Sequence, residues 1–338
     1  MRIAGLTNRR GTRAAAIMLA LWALFLLSAM VISWALDINA QLGISSVANR
    51  KLEAEAMACS GAEVALIPTV RPGSPLLHAS FPQNQSFSAR ITGEGGRLNL
   101  NAIAAATIAD PNSPWRELLR KYLEVKGVDL NERDHMIDAL LDWIDPDNLV
   151  RTNGAEDEPG YQPTNGPLKT LDDVKRIRGW EEFASGPNWD QDFTLFTMTQ
   201  GGQQGGAQNA VPQIDVNSAS RDVLLALPGF TEPLVDRFLE LRRGADGIEG
   251  TEDDVRFTLG AGSTTQVGPT SQGEITASMQ VALGFRDDQF RQLAPLITDT
   301  SQVVRVISVG KSASATRTVR MVMMKFNGGT RLISYKEL

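Results

Sequence analysis

The chain has 338 residues, enough for two or three domains, and 42% of them are hydrophobic. Its formal net charge of −6 argues against broad binding to nucleic acid or anionic lipid, because both need a positively charged surface. The single cysteine, Cys59, excludes an internal disulfide, and its place in an apolar helical pattern favours a packing role.

The N-terminal segment predicts a membrane anchor. No residue from Ala14 to Leu36 is charged, and a helix of that length covers the roughly 30 Å hydrocarbon core of a bilayer. The run is longer than the apolar core of a signal peptide, which is about 7–15 residues. Arginines precede the run and Asp37 follows it, so the positive-inside rule keeps the first residues cytoplasmic and exports the rest.

The anchor is expected to continue as one long helix beyond the membrane. Apolar residues recur at three- to four-residue spacing from Leu42 to Leu66. Pro68 and Pro72 then stop the helix, because proline cannot continue the hydrogen-bond ladder.

Strand signals are confined to two short regions of the chain. Ser86–Ile91 and Arg97–Leu100 follow the helix, separated by a glycine-rich turn. Strand signals return only at the C-terminus, where Asn327 and Gly328 form a hairpin signal. Because two short strands cannot form a stable sheet alone, we expect both to pair with the C-terminal strands, leaving residues 103–299 as a helical insertion. The C-terminal strands are predicted at Val303–Val309, Thr318–Phe326 and Leu332–Tyr335.

The insertion is predicted to contain two related halves. A Gly/Gln-rich linker at Gln200–Ala210 separates them. Thr170–Trp180 aligns with Ser220–Phe230, and each copy has a Ser/Thr N-cap, one helix, then glycine and an aromatic residue. The second copy leads into a helix at Glu232–Arg242 and so has a helix-hairpin-helix pattern.

Two acidic clusters are candidate calcium sites. Closely spaced carboxylates and amides in turn-rich loops are the hard oxygen ligands of Ca²⁺, which takes about 6–8 of them. Neither cluster has EF-hand spacing, and the alternative is a solvated acidic loop that caps helices. The candidate ligands are Asp142, Asp145, Asp147, Asn148, Asn153, Glu156 and Asp157 in the first cluster and Asp246, Thr251, Asp253 and Asp254 in the second.

A helix-hairpin-helix often binds a phosphate backbone through its hairpin amides and flanking basic side chains. Here Arg221, Arg237, Arg242 and Arg243 are balanced by neighbouring acidic residues, so a packing role is favoured and no nucleic-acid partner is expected. A membrane-tethered protein that receives DNA is the alternative.

Few residues could support catalysis. The two histidines, His78 and His135, are too far apart in sequence to suggest a metal pair, and nucleophile-elbow, P-loop and dinucleotide motifs are absent from the sequence. The chain is therefore predicted not to be an enzyme. A periplasmic hydrolase that uses the paired carboxylates is a third possibility.

The residues that point to a family lie along nearly the whole chain. With the basic leader and the split strands, they make the sequence similar to the type II secretion minor pseudopilin K family (general secretion pathway protein K) among type IV pilin-like proteins. The residues that carry this resemblance are Gly95–Asn101, Leu140–Asp145, Asn153–Asp157 with Tyr161, Leu168–Gly179 and Asp215–Ser220.

The resemblance implies an α+β, type IV pilin-like fold whose large all-α insertion contains SAM-like, helix-hairpin-helix repeats. It implies calcium at the two acidic clusters and a bacterial inner-membrane location, single-pass, with the N-terminus cytoplasmic and the bulk periplasmic. The implied domains are a leader at 1–11, a long helix at 12–70 that spans the membrane at 12–36, a β domain from 71–102 and 300–338, and helical subdomains at 103–200 and 211–299.

The resemblance also implies how the chain is processed and assembled. Prepilin peptidase would cut after Gly11 and leave a methylated Thr12, although Arg13 departs from the apolar residue usual at mature position two. The protein would initiate or cap a short periplasmic pseudopilus together with minor pseudopilins of the I and J types. Its other implied partners are the major pseudopilin, prepilin peptidase and the inner-membrane assembly platform. A DNA-uptake pseudopilin is the related alternative.

Ala16 is the predicted determinant of a filament-tip position. It occupies mature position five, where ordinary pilins carry a glutamate that neutralises the N-terminal amine of the subunit ahead. A subunit at the tip has no subunit ahead of it, so it does not need that carboxylate.

Overall fold

The computed structural model describes residues 9–67, 69–196, 212–247, 249, 253–259, 268–269, 275–326 and 329–338, and excludes the side chains of 9–14, 268–269 and 326. Five sequence predictions lie outside the described residues: the leader as far as residue 8, the helix stop at Pro68, the linker at 200–210, the ligand Thr251 and the hairpin residues 327–328.

The described chain alternates long regular elements with short ones. The α-helices are α1 (Arg9–Leu66), α2 (Leu100–Ala109), α3 (Pro114–Val125), α4 (Leu130–Ile144), α5 (Arg221–Ala226), α6 (Glu232–Arg242), α7 (Met279–Leu283) and α8 (Asp287–Leu293). The strands are β1 (His78–Phe81), β2 (Gln85–Gly93), β3 (Leu98–Asn99), β4 (Phe193–Thr194), β5 (Ile214–Asp215), β6 (Val255–Thr258), β7 (Gly268–Pro269), β8 (Ile275–Ser278), β9 (Ile297–Thr298), β10 (Val303–Ser312), β11 (Ala315–Phe326) and β12 (Gly329–Glu337).

A five-stranded antiparallel sheet joins the two ends of the folded region, in the order β1-β2-β10-β11-β12. Ile91 of β2 lies opposite Val306 of β10, which lies opposite Met321 of β11. The predicted pairing of the first long strand with the C-terminal strands is therefore confirmed, although more than 200 residues separate β2 from β10.

The C-terminal half of α1 lies directly on this sheet. Ala54, Ala58 and Ala62 are buried against it, and small side chains there let the helix approach closely. A Cβ at Gly310 of β10 would overlap the Ala54 carbonyl oxygen and the Ala58 amide nitrogen, and one at Gly61 would overlap the Ser308 hydroxyl. Glycine is therefore required for this approach of helix and strand.

The predicted pairing of the second short strand was wrong. Leu98–Asn99 pairs in parallel with Phe193–Thr194 of the insertion instead of with the C-terminal strands. The chain leaves the sheet after Gly93, whose carbonyl accepts a hydrogen bond from the Arg97 guanidinium (2.8 Å). The Asn99 side chain then accepts from the Ala102 amide (3.1 Å) and begins α2 as its N-cap.

The insertion also contains strands that the sequence did not predict. They are two to four residues long, too short for an alternating pattern, and they form three small sheets. The two repeat copies differ as well. The second forms α5, whereas the first forms only a 3₁₀ turn at Leu171–Arg176, although Gly179 and Gly229 both have φ of +83°.

The two helical halves share one hydrophobic core, which includes Trp143, Trp180, Phe193, Phe238 and Phe257, all nearly fully buried. A smaller core lies between α1 and the sheet.

Three ion pairs connect the insertion to the sheet face opposite α1, and a fourth connects that face to the turn after β2. Four strands each contribute one basic residue, and a loop or short turn of the chain contributes each acidic partner. The pairs are Arg90 with Glu249 (3.5 Å), Arg305 with Glu94 (2.7 Å), Arg320 with Asp190 (3.2 Å) and Lys336 with Asp172 (3.3 Å).

Candidate functional sites: the N-terminal anchor and two acidic loops

The N-terminal half of α1 is the candidate membrane anchor. Among the described residues, α1 is the one helix long and apolar enough to cross a membrane, and its apolar window is fully exposed. Ala16 lies at the start of this candidate span with an exposed side chain. Gly11 and Thr12 lie within α1, and their side chains are outside the described set.

The first acidic loop is built on the C-terminal end of α4. Asp142 and Asp145 lie less than one helical turn apart and are 0% and 2% exposed. The Arg151 guanidinium bridges the two carboxylates, with its Nη1 2.5 Å from Asp142 Oδ1 and in contact with Asp145 Oδ2. Gly154 lets the loop close on α4, because a Cβ there would overlap Asp142 Oδ2.

The third carboxylate of this cluster belongs to Glu156, which is buried. Its side chain is 3% exposed, and neither carboxylate oxygen has a hydrogen-bond partner among the described residues. Burial, followed by the charges of Asp142, Asp145 and Asp147, raises the pKa of Glu156 from 4.5 to about 7. Because a buried ionised carboxylate without a partner is strongly disfavoured, a cation beside Glu156 would relieve a real cost.

The donor chemistry of the first loop therefore fits calcium, but the ligands are not arranged around a vacant centre. In the described part of the chain, no three acidic, histidine or cysteine residues form a group that could hold a metal ion as they stand. Arg151 supplies the positive charge between Asp142 and Asp145, so a cation there would displace this guanidinium.

The structure places the other predicted ligands of the first loop differently. The Asp147 side chain accepts from the Leu149 amide (2.9 Å), and the Asn148 side chain accepts from Asn165 (2.5 Å). Asn153 donates to Asp138 Oδ2 (3.2 Å), and Asp157 is exposed. The structure thus brings together Asp142, Asp145 and Glu156. The charge of Asp147 is near enough to raise the pKa of Glu156.

Two residues of this site, Asp138 and Arg151, were not predicted from the sequence. Asp138 precedes Asp142 by four residues and so shares its helix face, a spacing that could have identified it. It binds Arg116 (2.7 Å) as well as Asn153. No sequence pattern could have identified Arg151, because a single arginine in an acidic loop is typical of a solvated surface residue.

The second acidic loop is organised by backbone amides. The Asp253 carboxylate accepts from the amides of Ala245 (2.7 Å) and Asp246 (3.0 Å). Gly244, with φ of +66°, permits this turn, because a Cβ there would overlap Asp253. Calcium binding by Asp246, Asp253 and Asp254 stays a prediction. The fourth predicted ligand, Thr251, lies outside the described residues.

The arginines flanking the α5–α6 hairpin are largely engaged within the fold. Arg221 pairs with Asp236 (3.0 Å). Arg242 is buried and donates to the carbonyls of Val216 (3.1 Å) and Ala219 (2.8 Å). These contacts favour the packing role of the hairpin over phosphate binding.

The histidines also have local partners. His78 Nδ1 is 3.0 Å from Ser88 Oγ, and His135 Nδ1 is 2.8 Å from the Asn153 carbonyl oxygen.

The chain has an apolar N-terminal helix that lies along an antiparallel sheet, with a helical insertion between two adjacent strands, as the resemblance to pilin-like proteins implies. Residues 96–184 match the family model "Type II secretion system (T2SS), protein K". The resemblance to the type II secretion minor pseudopilin K is therefore confirmed.

A solved structure shows the same fold. The chain is similar to GspK in the crystal structure of the GspK-GspI-GspJ complex from the enterotoxigenic Escherichia coli type 2 secretion system. The TM-score is 0.53 at 14% sequence identity, and the alignment covers 89% of this chain and 98% of that chain. The comparison with curated proteins found no match.

Proposed function

We propose that this chain is the minor pseudopilin that initiates or caps the periplasmic pseudopilus of a type II secretion system, and that it acts by assembly and not by catalysis. The observation that carries this proposal is the insertion between β2 and β10, which covers the sheet face opposite α1. Pilin-like subunits pack side by side through their N-terminal helices. A subunit with this much added bulk fits only where one neighbour is missing, at the end of the filament.

Ala16 supports the same position. A carboxylate at this place in an ordinary pilin pairs with the N-terminal amine of the next subunit, whereas the Ala16 methyl group offers no such contact. At the tip this loss has no cost. Lower in the filament it would leave a neighbouring amine unpaired in an apolar environment, which is unfavourable.

We infer the partners from the same assignment. In the solved complex GspK is bound together with GspI and GspJ, and we propose that minor pseudopilins of these two types bind this chain. The major pseudopilin would follow below them, prepilin peptidase would act at Gly11, and the inner-membrane platform would assemble the filament. Small residues such as Ala15, Ala16 and Ala20 would allow close packing of the membrane helices.

We also propose that the first acidic loop binds calcium. Glu156, Asp142 and Asp145 would supply carboxylate oxygens, with Asp147 at the rim, and the ion would neutralise a cluster that Arg151 satisfies only in part. Binding would fix the loop against α4 and so stabilise the insertion. The second loop is proposed as a site on donor chemistry alone.

Gold labelling of isolated pseudopili tests the tip assignment. The epitope-tagged full chain is expected to be labelled at one end of each filament, while a tagged major pseudopilin in the same preparation is labelled along its length. Labelling of this chain along the filament would contradict the proposal.

A further inference from the structure

The first acidic loop holds three buried carboxyl groups and one basic side chain. Asp142, Asp145 and Glu156 are 0%, 2% and 3% exposed. The Arg151 guanidinium contacts Asp142 and Asp145, and within the described residues no other basic side chain forms an ion pair with any of the three carboxyl groups. One positive charge therefore serves a group that can carry three negative charges.

The Arg151 guanidinium leaves buried oxygen atoms of this group without a hydrogen bond. In the described chain, Asp145 Oδ1 and both carboxylate oxygens of Glu156 lack a partner. A single nitrogen, Arg151 Nη1, contacts both Asp142 Oδ1 and Asp145 Oδ2, and the donors of a guanidinium lie in a fixed plane. Calcium takes about 6–8 oxygens in a flexible arrangement, so it can collect oxygens that Arg151 does not reach.

A calcium ion and the Arg151 guanidinium cannot occupy this position together. The ion would lie about 2.3–2.6 Å from its carboxylate oxygens, and Arg151 Nη1 is itself 2.5 Å from Asp142 Oδ1. Two positive charges that share the same oxygens would lie a few ångströms apart in a buried site, where their repulsion is strong. Binding of the ion is therefore an exchange, in which the guanidinium leaves.

The fold allows the Arg151 side chain to leave without unfolding the loop. This side chain is 28% exposed, whereas the carboxylates that it contacts are buried. The backbone of Arg151 is held separately, because its amide donates to Asp142 Oδ2 (3.2 Å) and its carbonyl oxygen accepts from the Gly154 amide (3.0 Å). Rotation about the side-chain torsions therefore carries the guanidinium into solvent while the backbone keeps its place against α4.

We propose that Arg151 is an internal competitor for the cation site of the first acidic loop and sets the calcium concentration at which this site fills. The inference rests on the proposed function, in which this loop binds calcium. At low calcium the guanidinium neutralises Asp142 and Asp145 and keeps the loop folded, and at high calcium the ion replaces it. Because each ion must displace Arg151, the site binds calcium more weakly than the same carboxylates would without the arginine.

Calorimetric titration of the full chain in detergent with calcium chloride tests the proposal. Arg151→Met removes the charge and keeps an unbranched side chain, and it is expected to bind calcium at least tenfold more tightly than the unsubstituted chain. Arg178→Met is the matched control, because Arg178 is exposed and pairs with Glu158 (2.8 Å) of the same loop. Its affinity should change less than threefold. Adding Glu156→Gln to Arg151→Met should remove the gain, which separates this loop from the second one.

Melting temperatures give a second readout of the exchange. In EDTA, Arg151→Met should melt at a lower temperature than the unsubstituted chain, because Asp142 and Asp145 lose their counter-charge. Saturating calcium should remove this difference, since the ion then neutralises the same carboxylates in both chains.

Chemical labelling of the unsubstituted chain gives a test that does not depend on the folding of a variant. Phenylglyoxal modifies accessible guanidinium groups, and peptide mass spectrometry measures each arginine separately. Calcium is expected to raise the labelling of Arg151 at least threefold and to leave that of Arg178 unchanged.

The outcomes separate this inference from the calcium proposal itself. Calcium binding with unchanged labelling of Arg151, or with equal affinity in Arg151→Met, would overturn the inference and leave the calcium proposal standing. Calcium binding that Glu156→Gln leaves unchanged, or no binding by either chain, would overturn the calcium proposal for this loop and the inference with it.

Discussion

The Arg305 guanidinium donates to both carboxylate oxygens of Glu94, from Nε to Oε2 and from Nη2 to Oε1, each at 2.7 Å. Both residues are almost completely buried. Thr194 donates to the same carboxylate at 2.6 Å, and Arg97 does so at 3.1 Å. One carboxylate thus joins β10, the turn after β2 and a strand of the insertion.

Glu94→Gln is expected to destabilise the protein strongly. The neutral amide leaves the buried guanidinium of Arg305, and the partly buried guanidinium of Arg97, without the charge of Glu94. Breaking a buried pair in this way typically costs about 3–5 kcal/mol. Urea unfolding of the solubilised chain measures the loss. Lys336→Ala, which removes an exposed pair with Asp172, is the control and should cost under about 1 kcal/mol. If both variants lose the same free energy of unfolding, the buried pair contributes no more to stability than the exposed pair.

Gly310→Ala is expected to lower thermal stability, because its Cβ would displace the backbone of α1 at Ala54 and Ala58. Overpacking of this kind costs about 1–3 kcal/mol. Gly43→Ala is the matched control, since nothing lies near a Cβ in the middle of exposed α1. It should leave the melting temperature unchanged or raise it, because alanine favours the helix by about 0.5–1 kcal/mol. A melting temperature unaffected by Gly310→Ala would contradict the packing described for α1.

Calcium is expected to raise the melting temperature of the chain, and EDTA should reverse the effect. Glu156→Gln should weaken the response, because it removes the buried carboxylate that lacks a hydrogen-bond partner in the described chain. Glu158→Gln is the matched control, since Glu158 is exposed and pairs with Arg178 (2.8 Å). Differential scanning fluorimetry checks both variants. If calcium leaves the melting temperature of the unsubstituted chain unmoved, the site is absent.

Asp215 should make stability depend on pH. Burial raises the pKa of Asp215 above its usual value of 3.8, although Ser218 and Asn217 donate to it and Arg256 and Arg242 lie near it. The folded protein therefore keeps a proton that the unfolded chain has lost, so the free energy of unfolding falls as pH rises above about 4.

Comparison with Asp215→Asn isolates this effect. Between pH 3.5 and pH 7 the unsubstituted chain should lose stability relative to the Asn variant, as measured by urea unfolding at each pH. Asp157→Asn, at an exposed position, should track the unsubstituted chain throughout. Parallel curves for Asp215→Asn would contradict the prediction.

Processing gives a further expected outcome. The chain recovered from membranes of cells with a prepilin peptidase should begin at Thr12 and carry one added methyl group, as measured by intact mass and N-terminal sequencing. A protein that begins at Met1, or near Ala40, would contradict a pilin-type maturation. Gly11→Val should block the cut, and Gly43→Val, at a distant glycine, should not.

The sequence predicted the helices and strands that have a strong hydrophobic periodicity or end at a clear terminating residue. The charge-free run and the prolines after Leu66 predicted α1, and alternation predicted the core of β10 and β11. β1 was missed because four residues at an edge give no pattern of their own. The partner of Leu98–Asn99 was missed because it is nearly 100 residues away, and only the folded insertion brings it near.

The sequence predicted which acidic residues lie in the candidate site, but not which contacts they make. Spacing alone placed Asp142, Asp145 and Glu156 in one region. That Arg151 would bridge two of them, and that Glu156 would be buried, depends on how the loop folds back over α4 through Gly154. The ion pairs between insertion and sheet depend on long-range docking in the same way.

The position of β10 beside β2 has a consequence for the order of folding. The short strands of the insertion pair with partners fewer than 100 residues away, whereas β2 must wait for β10, which begins more than 200 residues further along the chain. Because distant pairings form slowly, the helical insertion is expected to become structured while β2, paired only with β1, still lacks its partner β10. The half of the sheet that follows α1 therefore stays incomplete until the C-terminal strands are available, so under the proposed function the order of the sequence itself would delay assembly into a filament.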